Sequence, residues 1–369
     1  MSETTCRWGI LGTAGIARKN WQAIRNSGNG TLVAVASRTA GRAEAYIAEN
    51  QAQVPHDPAP RAIAGYDEMI AADDIDALYI PLPTGVRKDY VIAAARAGKH
   101  VLCEKPCGVD AGEVREMIAA CEEAGVQFMD GVMFMHSDRL PALRAELDSR
   151  EAVGDLKRIA TQFSFMAPDD FLEENIRMHS GLEPLGSLGD LGWYCIRIIL
   201  WTLRYEMPTS VRAKMIRQAG RPDSPDAVPI SLSAELDFAS GVTGSFYCSF
   251  ETEHQQWVNI SGTKGHITMN DFVLPFHGPE LAFEIEQAHF DTDVCQFHME
   301  RHSRRVAVHE YSDSHASSQE TKLFRKFGSL VLGGKPDPHW PEIALKTQLV
   351  LDACLRSARE GGSDLSVEG

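Results

Sequence analysis

The sequence predicts an α/β fold in two parts: a parallel sheet wrapped by helices, followed by an α/β domain on an open, mostly antiparallel sheet. Three observations carry that expectation. From Arg7 to Met129, short β-rich runs alternate with helical runs. A turn of small residues, Gly12-Thr13-Ala14-Gly15-Ile16-Ala17, joins the first of these strands to the first helix. From Leu156 onward, strand-like stretches succeed one another without helices between them. Alternation of the first kind requires crossover helices on both faces of a parallel sheet, whereas uninterrupted strands pair antiparallel through short turns.

The elements follow in order. Arg7 to Leu11 reads as a strand, Ile16 to Asn26 as a helix and Thr31 to Ala36 as a second strand. Arg42 to Asn50 is helical, Gln51 to Arg61 a Pro-punctuated loop and Tyr66 to Ala72 a short helix. Ala77 to Ile80 is a strand, Arg87 to Ala97 a helix and His100 to Cys103 a strand. Ala111 to Ala124 is a helix, and Gln127 to Met129 begins another strand. In the second part the strands are Leu156–Ser164, Thr209–Met215, Ile230–Phe238, Gly241–Phe250, Gln256–Ser261 and Gly265–Met269. Ala239-Ser240-Gly241 joins two of them as a hairpin. Helices are expected over Leu188–Leu203 and Pro341–Glu360, a surface loop over Gly220–Val228 and a loose tail over Gly361–Gly369. The boundary between the two domains is placed at 131/132, giving units 1–131 and 132–369.

Composition narrows the function classes. The chain has 369 residues, enough for two cores, with 44% hydrophobic and 24% charged residues. A net charge of −15 opposes non-specific binding to nucleic acid or to an anionic membrane. Met1 to Arg7 shows no basic segment leading into an apolar core, so no signal peptide is expected. Trp193 to Leu203, the longest apolar run, is interrupted by Arg197 and reads as a buried helix, not a membrane span. The 8 cysteines form no C-x-x-C pair, and several lie within apolar runs, which suits a reducing, cytoplasmic setting. The 13 histidines show no metal-site spacing, and no metal is expected.

The turn at Gly12 to Ala17 has the chemistry of a dinucleotide site. Small residues let the backbone approach a pyrophosphate, and the helix that follows supplies free N–H groups and a positive dipole end. Gly12, Thr13, Ala14, Gly15 and Ile16 are therefore cofactor-binding candidates. The pattern departs from G-x-G-x-x-G at Ala14 and Ala17, and its strand–turn–helix setting is what carries it. NAD enzymes usually place an acid about 20 residues after the turn, at the end of the second strand. Here Ser37-Arg38-Thr39 stands there, with Arg42 a helical turn on. A hydroxyl and two guanidinium groups suit a 2′-phosphate, so Ser37, Arg38 and Arg42 favour NADP, with NAD the alternative. Pro81-Leu82-Pro83-Thr84 leaves its strand at the carboxyl edge and is expected to line the same cleft.

Cys103-Glu104-Lys105-Pro106 lies between a strand and a helix, and the proline forces a turn. A lysine at the end of a buried strand needs a partner or a task, and Lys105 falls where cofactor and substrate would meet. Glu104 is assigned to the same cleft. Asp190 and Tyr194, four apart, share one face if their segment is helical. Gly186 and Gly189 would let that segment approach another backbone closely. An ammonium beside a tyrosine favours its anion, which suits proton transfer coupled to hydride transfer. Arg177, His179, Gln256 and Trp257 are further candidates for substrate contact, an aromatic face with polar forks being suited to a sugar ring.

Taken together, Gly12 to Ala17, Gly98 to Pro106 and Gly186 to Tyr194 resemble the glucose–fructose oxidoreductase / inositol dehydrogenase family, in particular its sugar dehydrogenase and dimeric dihydrodiol dehydrogenase members. The resemblance spans nearly the whole chain. It implies a Rossmann domain followed by an α/β domain that supplies substrate contacts and often an oligomer interface. It implies that Lys105 is the catalytic lysine, allows a cis Lys105–Pro106 bond and makes Tyr194 a candidate proton donor. Many relatives carry a histidine shortly after the segment corresponding to Pro81–Thr84, where this chain has Arg87.

The expected activity is an NADP(H)-dependent oxidoreductase acting on the CH–OH group of a sugar, polyol or related diol. One alternative is an enzyme whose cofactor stays bound between turnovers, and another is a cofactor-binding regulatory protein without turnover. The uncovered strands after Ile230 lead to the expectation of a homodimer or homotetramer.

Overall fold

The computed structural model describes residues 5–367. The first sheet contains β1 (Cys6–Leu11), β2 (Gly30–Ser37), β3 (Arg61–Ala64), β4 (Ala77–Ile80), β5 (His100–Cys103) and β6 (Phe128–Asp130). Their spatial order is β3-β2-β1-β4-β5-β6 and every pairing is parallel. The crossovers carry α1 (Ile16–Asn26), α2 (Arg42–Gln53), α3 (Tyr66–Ala71), α4 (Thr84–Arg96) and α5 (Ala111–Glu123). The order reverses between β1 and β4, which opens a crevice at the carboxyl ends of those strands.

Local sequence explains these elements. All four residues of β4, Ala-Leu-Tyr-Ile, are buried, as a central strand covered on both faces requires. The inner stripe of α1 is Ala17, Asn20, Trp21, Ala23 and Ile24. Helix α5 opens on a reciprocal cap: Asp110 accepts from the Glu113 amide at 2.9 Å, and Glu113 accepts from the Val109 amide at 3.1 Å.

The second domain begins with α6 (Arg139–Ser149), β7 (Leu156–Met166), α7 (Phe171–Glu174) and α8 (Trp193–Thr202). Strands β8 (Ser210–Ala219), β9 (Val228–Asp237), β10 (Thr243–Ser249), β11 (Glu251–Gly262), β12 (His266–Met269), β13 (Glu280–Asp293) and β14 (Gln296–His309) follow. Helices α9 (Gln319–Gly333) and α10 (His339–Arg359) and strand β15 (Leu365–Ser366) end the described chain. The nine-stranded sheet runs β14-β13-β12-β11-β7-β10-β9-β8-β15, antiparallel except where β10 meets β7. The hairpin expected at Ala239-Ser240-Gly241 joins β9 to β10. The apolar run from Trp193 is α8, buried along nearly its whole length.

Four features differ from the sequence reading. Strand β3 pairs with β2 just after the Pro-punctuated loop. The long β13–β14 hairpin extends the second sheet beyond Met269. The segment 361–369, expected as a loose tail, instead supplies β15, which pairs with β8 through Leu365 and Val211; residues 368–369 lie outside the described ones. Helix α9 returns to the first sheet, where Phe324 and Phe327 pack on Trp8 with ring centroids 5.0 and 5.1 Å apart. A unit made only of residues 1–131 would expose that face of Trp8.

One buried ion pair fixes the two domains to each other. Arg197 on α8 meets Asp130 at the end of β6 at 2.6 Å, with side chains 0% and 1% exposed. Trp193 donates to the same carboxylate at 3.2 Å, and Arg197 also donates to Thr347 on α10 at 2.7 Å. Removing one partner leaves a buried, unpaired charge. Asp130→Ala is expected to lower stability by about 3–5 kcal/mol, and the double variant Asp130→Ala/Arg197→Met to recover most of that loss. Urea unfolding checks both; a single variant within 1 kcal/mol of the parent, taken as roughly a surface-substitution effect, would contradict this account.

Candidate active site

The small-residue turn follows β1 and opens α1, as its sequence requires. Gly12 has φ +113°, a conformation other residues rarely adopt, and its amide donates to Ala36 at 3.0 Å. Above Gly15 the space is open, with no atom within 4 Å of where a Cβ would stand. No side chain caps α1; its Ala17 and Arg18 amides donate to the Ala14 and Gly15 carbonyls, both at 3.1 Å. At the end of β2, the Ser37 hydroxyl accepts from the Thr39 amide at 3.2 Å. Arg38 lies over the Tyr66 ring at 5.6 Å. Arg38 and Arg42 are exposed, and neither forms an ion pair among the described residues.

The loop after β5 turns through a cis Lys105–Pro106 bond. Arg87 holds this loop: its buried guanidinium donates to the carbonyls of Glu104 at 2.6 Å, Leu82 at 2.9 Å and Pro106. Arg87 is therefore a brace between two loops, spent on backbone oxygens. Facing the loop, Leu188–Gly192 forms a π-helical turn that carries Asp190 and runs into α8, where Tyr194 stands. Gly186 and Gly189 make the close approach possible. A Cβ at Gly189 would lie 3.1 Å from the Pro106 ring, and one at Gly186 would collide with the Pro229 backbone.

These elements bring together the three residues expected to do chemistry. Lys105 Nζ donates to Asp190 Oδ1 and to the Asp190 carbonyl, both at 2.8 Å. The same Nζ stands 4.7 Å from the centre of the Tyr194 ring. The other oxygen of Asp190 pairs with Arg177 Nε at 2.7 Å. All four border one cavity of about 560 Å³ that also takes in Ala14, Gly15, Ile16, Pro81, Leu82, Pro83 and Glu104. Phe163, Phe165, Leu274 and His254 also line it, and the Phe163 ring lies 5.7 Å from that of Tyr194.

Other candidates stand elsewhere. Trp257 points to the opposite face of the second sheet, beside Arg158 and Tyr247, because neighbouring residues on a strand alternate sides. Gln256 is spent on the backbone of Leu274, accepting from its amide at 2.6 Å. The His179 ring accepts from the Gly181 amide at 3.1 Å and does not border the cavity. Thr84 is held by Glu183, its hydroxyl donating at 2.6 Å, and stands behind the wall. The sequence reading missed Asn20, Tyr79 and Glu320, which border the cavity from α1, β4 and α9.

Electrostatics assign protonation states at rest. Burial tends to raise the Asp190 carboxyl, but Arg177 and Lys105 prevail and hold it at about 2. Burial tends to lower the Lys105 ammonium, and the facing Asp190 charge, with Tyr194, lifts it above the usual lysine range. Burial drives the Tyr194 phenol up to about 12 although Lys105 pulls it down. At neutral pH the site thus holds a carboxylate, an ammonium and a phenol.

A parallel sheet with this turn, and a lysine presented beside it, defines a nucleotide-binding oxidoreductase class. Residues 6–132 match the model of the Gfo/Idh/MocA oxidoreductase family, NAD-binding Rossmann fold, and residues 142–268 match the C-terminal domain model of the same family. The chain belongs to this family. It is 34% identical over 314 residues to D-xylose 1-dehydrogenase (NADP(+)) 2 of Haloferax volcanii, covering 82% of this chain and 90% of that one. It is 31% identical over 268 residues to trans-1,2-dihydrobenzene-1,2-diol dehydrogenase of Bos taurus, covering 72% and 74%. Its fold is similar to that of a 3-ketoreductase from Actinomadura kijaniata in complex with NADP and TDP-benzene, with TM-score 0.76, 24% identity and coverage of 97% and 98%. A levoglucosan dehydrogenase with NADH and levoglucosan gives TM-score 0.80 at 18% identity, covering 99% and 100%.

Proposed function

We propose that the protein transfers hydride between NADP(H) and a hydroxyl- or carbonyl-bearing carbon of a sugar, polyol or vicinal diol. The observation that carries this reading is the convergence of Lys105, Asp190 and Tyr194 on the cavity that the small-residue turn enters. The names of the two curated relatives support the substrate range, one a sugar and one a diol, and NADP(+) is part of the first name. In this reading residues 1–131 hold the cofactor and 132–369 the substrate, with α9 lent back to the first unit.

The residues present fit such a cofactor. The open turn at Gly12 to Ile16 would hold the diphosphate, and Ser37, Arg38 and Arg42 the 2′-phosphate. Pro81, Leu82, Pro83 and Glu104 would flank the nicotinamide, which supplies the hydride acceptor or donor when bound. The chain's own part is proton handling. Asp190, held at about 2, is too weak a base to take a proton from an alcohol, so it orients Lys105. The Tyr194 phenol gives its proton to the substrate oxygen during reduction. During oxidation it takes that proton back as phenolate, an anion the Lys105 ammonium favours. Arg177, facing Asp190 across the mouth, is the proposed contact for a second substrate oxygen.

Arg38→Ala is expected to weaken NADP binding by about 1.5–3 kcal/mol, the scale of a hydrogen bond to a charged group, and to leave NAD binding unchanged. Calorimetry with both cofactors checks this, and equal loss for the two would remove Arg38 from the phosphate site.

The face of the second sheet that bears Arg158, Tyr247 and Trp257 is the proposed subunit contact, giving a homodimer or homotetramer. Light scattering at micromolar concentration would reveal a monomer if this is wrong.

Lys105→Met keeps most of the side-chain length and removes the ammonium. Hydride transfer is expected to fall by roughly 10² or more, with NADP affinity nearly intact. Nicotinamide absorbance against aldoses, polyols and diols is the assay. Turnover within a few-fold of the parent would exclude Lys105 from the chemistry.

A further inference from the structure

Along the cavity wall a line of buried polar side chains runs from the first helix to the loop of Lys105. Asn20 Nδ2 donates to the Tyr79 hydroxyl at 2.7 Å, and that hydroxyl donates to Glu104 Oε1 at 2.6 Å. Glu104 Oε2 accepts from the Lys105 amide at 3.1 Å. Asn20, Tyr79 and Glu104 are 8%, 0% and 8% exposed, and all three border the cavity.

The donor inventory orders the protons. The Asn20 nitrogen can only donate, so the Tyr79 oxygen accepts from it and points its own hydrogen at Glu104. Glu104 therefore meets two donors, one on each oxygen, and is bound as an acceptor. Its carboxylate lies against bare backbone: a Cβ at Gly131 would stand 3.0 Å from Oε1 and 3.3 Å from Oε2.

The charges around Glu104 come from several elements. Lys105 is its neighbour in the loop, Arg87 on α4 donates to its carbonyl, and Tyr194 on α8 borders the same cavity. Lys19 on α1 and Glu320 on α9 border the same space and pair with each other at 3.3 Å. Burial works to protonate Glu104 and lifts its carboxyl above the usual range; the Tyr79 hydroxyl, Lys105 and Arg87 oppose it and limit the rise. Without the Tyr79 hydroxyl, one oxygen loses its donor and the Asn20 amide loses its acceptor.

We propose that Tyr79 and Asn20 are positioning residues that keep Glu104 an ionised acceptor at the nicotinamide end of the cavity. The inference rests on the cofactor reading above. An ionised Glu104 accepts a hydrogen bond from the cofactor and offsets the positive charge of its oxidised ring. A protonated Glu104 offsets no charge and is a weaker acceptor, so loss of Tyr79 acts on cofactor binding through Glu104.

The test is NADP⁺ binding from pH 5 to 9, by tryptophan fluorescence, for the parent, Tyr79→Phe, Glu104→Gln and the double variant. Tyr79→Phe is expected to lose affinity on the acid side, with a break about one to two pH units above any in the parent, the scale of one charge-assisted hydrogen bond. Glu104→Gln should bind more weakly at every pH, with no such break. The double variant should match Glu104→Gln, since nothing remains for Tyr79 to hold. A parallel loss at all pH values for Tyr79→Phe, additive with Glu104→Gln, would make Tyr79 a packing residue and overturn the inference. A parent that binds no NADP⁺ would overturn the cofactor reading itself, and the inference with it.

Discussion

The ion pair between Asp130 and Arg197 is the constraint on which the site depends. Asp130 pairs in register with Cys103, two residues before Lys105. Arg197 lies on α8, three residues after Tyr194 and seven after Asp190. The pair therefore joins α8, which carries Tyr194, to β6, the strand beside the one whose loop carries Lys105. Desolvating two charges costs several kcal/mol each, and their attraction returns that only with good geometry and further hydrogen bonds. Those bonds are present: Thr347 and the Ile343 carbonyl each accept a further guanidinium hydrogen, and Trp193 donates to the carboxylate. The net gain of such a pair is small beside the cost of breaking it. What it fixes is position.

That position sets the electrostatics of the cavity. Asp190 is shared between Lys105 and Arg177, so one anion stands between two cations. A lone buried carboxylate would tend to take up a proton, and the two cations reverse that tendency. The result is an acid too strong to act as a base near neutral pH, and a lysine too basic to lose its proton there. On the proposed reading, proton exchange with substrate is left to Tyr194, which sits against the ammonium. The Lys105 charge then opposes the burial that disfavours a phenolate there. The same charge would lower the energy of an alkoxide on the substrate itself.

Much of this was legible in the sequence, and the exceptions have physical reasons. The parallel sheet, the turn at Gly12, the loop of Lys105 and the helix after Asp190 all leave local signals: apolar runs, small residues or a proline. Trp257 was misplaced because strand register decides which face a residue takes, and an aromatic on β11 carries no mark of its side. The distal half of β13–β14 is exposed on both faces, so it shows no alternation to read. Helix α9 does carry helical spacing in Leu323, Phe324 and Phe327, yet its destination on Trp8 is a long-range choice. Tyr79 was hidden by success: in an apolar strand it reads as core, and only the folded chain puts Glu104 and Asn20 at its hydroxyl.

The location of Arg87 shows how a departure from a family pattern can be absorbed. A guanidinium has five hydrogens in a rigid fork, and here several go to carbonyls on two different loops. One of those loops, Pro81–Thr84, closes the crevice beside the small-residue turn; the other carries Lys105. Fastening them to one side chain couples the Pro81–Pro83 wall of the cavity to Lys105. A buried arginine so occupied, 2% exposed, has most of its donors spent on backbone carbonyls. The rest of the lining includes Arg177 and His254 with Phe163, Phe165 and Leu274, few polar partners beside much apolar surface. On the proposed reading, a substrate with its reacting oxygen at Lys105 and Tyr194 turns a largely hydrocarbon face toward the phenylalanines, because each hydroxyl buried there without a partner costs about 1–3 kcal/mol.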